Sequence, residues 1–278
     1  MTSWTDRISS QPQVSSPEWL VSNLHLECVM GSRASGCADP DKSDYDIRGV
    51  FTTPPEFYFP SLRGLVVGYD AIPGCEHWRA SHVTDPTGRE FDFELHNLTK
   101  FLRLAEENNV NQVDLLFAAD ELVTHCSPVG RMLLDNRGLF LSKLYHKKCV
   151  GYANDQYNAA IWARPSGKRA EMISRFGYDI KSAAHAIRLL EQCRMVLCEG
   201  RLDLMSFSAE LLEIRRGDWS LGKFVNEFTE RDAALDDYYL RCSLPEKPDH
   251  LLVRRLLLDC LEHQFGSLEQ AGVIGMDV

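Results

Sequence analysis

The sequence predicts an α+β protein with its strands in residues 1–126 and an all-helical remainder. Three observations carry that expectation. Acidic and apolar residues alternate at strand period in Asp44-Tyr45-Asp46-Ile47 and again in Glu90-Phe91-Asp92-Phe93-Glu94-Leu95. Apolar residues recur at helical spacing in 97–108 and 179–197. Beyond a Cys-Ser-Pro sequence at 126–128, no strand-like alternation is found, so two domains are expected, 1–126 and 127–278.

Taken in order, residues 24–30 read as a first strand running into a turn at Gly31 and a loop at 37–42. The strand that carries Asp44 and Asp46 continues over 47–52. Pro54, Pro55 and Pro60 make 53–63 a loop, because proline fixes φ and lacks a backbone donor. Residues 64–68 are apolar and short enough for a strand, and 70–89, rich in Gly, Pro and polar residues, reads as a mobile loop. A strand at 90–95 follows, then a helix at 97–108 with Asn97 as N-cap and Leu98, Phe101, Leu102 and Ala105 as its buried stripe. Residues 113–117 form an apolar segment. In the second half the clearest helix is 179–197, with Ile180, Ala183, Ala184, Ile187 and Leu190 inward, and further helices are expected at 206–216, 221–241 and 251–265. Arg215, Arg216 and Trp219 form a basic corner, in which Trp219 reads as a packing residue.

The chemistry concentrates between Met30 and Phe51. Strand alternation places Asp44 and Asp46 on one face, where two carboxylates repel unless a cation lies between them. Hard oxygen donors select Mg²⁺ or Mn²⁺. Just upstream, Gly31-Ser32 offers bare backbone N–H groups to a phosphate, since glycine has no Cβ to bar a close approach. A two-metal site needs a third carboxylate from a neighbouring strand, and Asp92 is the choice, with Glu90 and Glu94 as same-face rivals. On the helix at 179–197, Lys181, His185, Arg188 and Gln192 share a face that is either solvated or, as a cationic row, turned toward a triphosphate.

Composition excludes several classes. Nine cysteines without a Cys-x-x-Cys pair indicate neither a disulfide framework nor a zinc ribbon. No run approaches a membrane span, and the first residues lack the apolar stretch of a signal peptide, so a cytoplasmic protein with no membrane partner is expected. A net charge of −10 argues against a nonspecific nucleic-acid coat. Between 143 and 201, however, eleven Lys or Arg face five acids, a zone suited to a nucleotide or an RNA end.

Gly31-Ser32-Arg33-Ala34 with Asp44-Tyr45-Asp46-Ile47-Arg48-Gly49-Val50-Phe51 resembles the signature of the polymerase-β superfamily. Asp92 eight residues before Lys100, then 111–117, then Gly177-Tyr178-Asp179 with Lys181, His185 and Arg188, extend the likeness over most of 24–220. The chain is similar to nucleotidyltransferases of that superfamily from bacteria and phages, some assigned to RNA repair. This resemblance implies a polymerase-β-like palm, a mixed sheet with flanking helices, followed by a helical C-terminal domain. It implies that Asp44, Asp46 and Asp92 hold Mg²⁺ or Mn²⁺, and that Gly31, Ser32, Arg33, Lys181, His185 and Arg188 bind the NTP. The acceptor hydroxyl would belong to an RNA end; transfer to a protein or small molecule, or a noncatalytic nucleotide- or RNA-binding module, are the alternatives. The chain departs from the family pattern at Asn108-Asn109, where Asn-Pro is usual, and at Asp114, which replaces Glu; both are expected on a helix-to-strand connection.

Overall fold

The computed structural model describes residues 3–9, 11, 14–40, 43–58, 76–163 and 166–266. A short helix α1 (Trp4–Ser9) precedes β1 (Leu24–Val29), a single helical turn α2 (Gly31–Ala34), β2 (Tyr45–Phe51) and a second turn α3 (Pro55–Tyr58). Next come β3 (His77–Thr84), β4 (Glu90–Asn97), α4 (Leu98–Glu106), α5 (Val110–Leu116) and β5 (Val123–Cys126). The rest is helical: α6 (Pro128–Asp135), α7 (Leu144–Trp162), α8 (Lys168–Phe176), α9 (Ile180–Glu199), α10 (Ser208–Arg216), α11 (Leu221–Arg241) and α12 (His250–Phe265).

Among the described residues the strands form one mixed sheet in the order β3-β4-β2-β1-β5. β2 and β4 run parallel, with Asp46 directly opposite Asp92, and the other pairs are antiparallel. Successive side chains point to opposite faces. Tyr45, Ile47 and Phe51 of β2 and Phe91, Phe93 and Leu95 of β4 therefore enter one core, closed by Ile8, Leu20 and Trp4 from the N-terminal segment. The even-numbered residues Asp46, Arg48, Asp92 and Glu94 emerge on the other face, beside the helices.

That second face carries the larger core, in which Leu26 and Val50 of the sheet are continuous with Leu102, Leu133, Ile187, Phe224 and Cys260 from the helices. Helix α9 is its axis, with α7, α10 and α11 packed around it. Its N-cap is Asp179, whose carboxylate accepts hydrogen bonds from the backbone N–H of Lys181 and Ser182. Asn97 caps α4 in the same way through Thr99 N–H. Both caps satisfy donors that helix starts leave open.

Several expectations are corrected. Residues 77–84, read as loop, form the edge strand β3. An edge strand faces solvent and needs few apolar side chains; here only Trp78 and Val83 are buried, and a register shift between Ala80 and Val83 breaks the alternation. Residues 113–116 belong to helix α5, which Phe117 caps, rather than to a strand entry, so Asn108-Asn109 joins two helices. Periodicity cannot separate a short buried helix from a strand. Residues 55–58 of the expected loop form α3, and 123–126, at the expected boundary, form β5. The strand expected at 64–68 lies outside the described residues.

Candidate active site

Where the sheet emerges from under the helices, a cavity of about 360 Å³ opens between β2, the α2 turn, α5 and α9. Seven of the nine expected site residues line it: Gly31, Ser32, Asp44, Asp46, Lys181, His185 and Arg188. The α2 turn is fastened to β2 by the Met30 N–H, which donates to the Asp46 carbonyl at 2.7 Å. Gly31 has φ +63°, and a Cβ placed on it would lie 1.8 Å from Asp46 Oδ2. Only glycine allows the turn to press on this carboxylate.

A smaller cavity of about 170 Å³ lies across β2, lined by Asp46, Arg48, Asp92, Arg79, Ser81 and Glu94. Asp46 thus walls both cavities. Burial raises the Asp46 pKa above the usual carboxylate range; Arg48 and Lys181 oppose the shift, and Asp92 and Asp44 add to it. Asp44 and Asp92 thus both act on Asp46, and among the described residues no three acidic, His or Cys side chains close into a ready-made metal cage. All-carboxylate donors, a partly buried charge and a glycine cradle suit a hard divalent cation shared between Asp46 and its neighbours.

The three acids of β4 are sorted by their partners. Glu90 is engaged by the His82 ring at 2.5 Å. Glu94 is engaged by Arg79 at 2.5 Å and by Arg48 at 3.9 Å. Among the described residues Asp92 accepts one hydrogen bond, from the His82 backbone N–H at 2.9 Å, and it lies in register with Asp46.

The cationic row is reshaped by burial. Gln192 is fully buried and His185 and Arg188 are half-buried, so only the Lys181 end of this face is open to solvent. Burial, with Arg188, Arg48 and Lys181 nearby, pushes the His185 pKa well below its ordinary value, which leaves the ring neutral and corrects its expected role as a cation. Its Nε2 is free to accept from Arg188 Nη2 at 2.6 Å. Burial works against the Arg188 charge, and Asp114, paired through Nη1 at 2.9 Å, more than restores it. Lys181 is exposed and forms no ion pair among the described residues. Arg33 is a second correction: it lines neither cavity, donating instead to the Ser43 carbonyl at 3.0 Å and lying 3.7 Å from the centroid of the Tyr45 ring. It braces the approach to Asp44 and Asp46 from behind.

Sequence reasoning gave no role to Arg48, Asn111, Asp114 or Tyr152, all of which line the larger cavity with Arg215. Arg48 carried a signal, being two residues from Asp46 on the same strand face. Asp114 and Arg188 are distant in sequence, and nothing local joins them. Trp219 is buried, as expected of a packing residue, and its Nε1 donates to Glu213 at 3.2 Å.

A mixed sheet that presents a Gly-Ser turn beside a strand Asp-x-Asp, with a third aspartate in register on the next strand, is the architecture of polymerase-β-like nucleotidyltransferases. The chain belongs to the RNA repair pathway DNA polymerase beta family, whose family model matches residues 6–247. None of the curated proteins matches it significantly. Membership supports a role of nucleotidyltransferase type. Among the described residues, no helix is long and apolar enough to cross a membrane.

Proposed function

We propose that the protein is a divalent-metal-dependent nucleotidyltransferase that moves an NMP from an NTP to a hydroxyl acceptor, with an RNA end as the acceptor. The observation that carries this reading is the position of Asp46, shared by two cavities: a larger one lined by cationic side chains and a smaller one reaching Asp92. An in-line displacement needs a donor and an acceptor on opposite sides of the reacting phosphorus.

In this reading Asp44, Asp46 and Asp92 hold Mg²⁺ or Mn²⁺, which supplies Lewis acidity at the α-phosphate and lowers the pKa of the acceptor hydroxyl. Gly31 and Ser32 receive the β- and γ-phosphates through backbone N–H groups. Lys181 and Arg188 compensate their charge, while neutral His185 steadies the Arg188 guanidinium. Asp92 takes the acceptor proton as the acceptor oxygen bonds to Pα and the bond from Pα to the bridging oxygen breaks, releasing pyrophosphate. The division at 126/127 then separates a chemical half from a helical half that covers the nucleotide.

Incubating the purified protein with each α-labelled NTP, Mg²⁺ or Mn²⁺, and total RNA or cell lysate tests the reading. Label in the RNA fraction supports it, label in protein or small molecules redirects the acceptor, and no label in any fraction overturns it.

A further inference from the structure

The bulge in β3 singles out a residue that the mechanism above does not use. Ala80 pairs with Phe93 and Val83 with Phe91, so three steps along β3 match two along β4. Ser81 and His82 therefore both stand opposite Asp92, as in a β-bulge with one extra residue. His82 takes the left-handed conformation, φ +56°, which side-chain-bearing residues seldom adopt. Its side chain is 81% exposed, so no packing explains the conformation. The only other described non-glycine residue with positive φ is Asn108, whose amide is buried and hydrogen-bonded to the carbonyls of Ala105 and Phe140.

What the strained backbone achieves at His82 is a redirected N–H. In a regular antiparallel ladder, backbone donors serve the partner strand's carbonyls or point outward to solvent. Here the donor reaches the Asp92 side chain, Oδ1, at 2.9 Å. Strain of this kind persists where its surroundings fix it, and it clusters at functional sites. The His82 ring meanwhile engages Glu90, keeping that rival carboxylate from the site.

We propose that His82 is a positioning residue for Asp92: its backbone N–H fixes one carboxylate oxygen so that the other faces the smaller cavity and the acceptor. This rests on the nucleotidyltransferase reading. The device requires a left-handed backbone and a donor at position 82, and it acts on the acceptor side without touching the NTP cavity.

Three variants separate these requirements. H82V keeps the N–H but resists positive φ, H82P removes the donor and forbids positive φ, and H82G restores both while deleting the ring. H82V and H82P are expected to lower kcat about tenfold or more, the scale of a lost charge-assisted hydrogen bond, with KM for NTP unchanged. Mn²⁺ affinity, read by electron paramagnetic resonance, should weaken in both, and H82G should recover most of each loss. In a D92A background H82V should weaken Mn²⁺ affinity no further, whereas damage to the strand alone would still disturb the site around Asp46. Wild-type kcat and Mn²⁺ affinity in H82V, or an H82G loss as large as that of H82P, would overturn the proposal while leaving the nucleotidyltransferase reading standing. A wild-type protein that neither transfers label nor binds Mn²⁺ would overturn the nucleotidyltransferase reading, and this proposal with it.

Discussion

Gly31 and Asp46 are complementary: the side chain that one lacks is the space the other's carboxylate occupies, since a Cβ on Gly31 would meet Asp46 Oδ2 at 1.8 Å. Gly31→Ala must displace that carboxylate and also strain a backbone at φ +63°. We expect transfer to fall by about 10²-fold, the scale on which misplacing a catalytic group by an ångström acts. Steady-state kcat, with circular dichroism to confirm the fold, checks this.

Asp46→Asn should abolish transfer yet stabilise the metal-free protein. The folded-state pKa of Asp46 is raised by burial, with Asp92 and Asp44 adding to it, so the folded state binds the proton more tightly than the unfolded state. Stability attached to this group is then full below the unfolded carboxylate pKa and is lost as pH rises through the folded one. The asparagine variant should therefore melt above wild type at pH 8 and show no advantage below pH 4. Thermal melts across that range in a chelator read it directly.

On β4, Asp92→Ala should lose activity while Glu90→Ala stays near wild type. Glu90 is bound to His82, whereas Asp92 is opposite Asp46. Glu94→Ala should have an intermediate effect, because it releases Arg79 and Arg48 into the smaller cavity. Comparing kcat for the three alanine variants decides the assignment; an active Asp92→Ala beside an inactive Glu94→Ala would move the site one pleat along the strand.

Lys181 and Arg188 should respond differently to alanine. Lys181 is exposed and unpaired among the described residues, so Lys181→Ala should raise KM for NTP several-fold without affecting stability. Arg188→Ala leaves Asp114 buried without its partner, which costs about 3 kcal/mol or more. Its KM effect should come with a lower melting temperature, and Asp114→Asn in the same chain should recover part of the stability.

The sequence made those parts of the site visible whose signal is local. Alternation exposed Asp44 and Asp46, and it exposed the acidic face of β4, because strand period is written in neighbouring residues. Asn97 announced the start of α4 as a cap. The edge strand β3 was hidden by its bulge, and the same bulge hid the contact between His82 and Asp92. Tertiary packing decided the rest. Burial neutralised His185, Tyr45 drew Arg33 away from the cavity, and Asp114 met Arg188 across two helices. None of these outcomes follows from residue type and spacing.

The most direct test of the central claim compares an NTP labelled at the α-phosphate with the same NTP labelled at the γ-phosphate, in Mg²⁺ and with an RNA acceptor. Only the α-label should enter the acceptor, the γ-label should leave as pyrophosphate, and both signals should vanish with Asp44→Asn, Asp46→Asn or chelation. Transfer of the γ-label, or α-label incorporation that survives Asp46→Asn, would contradict the account.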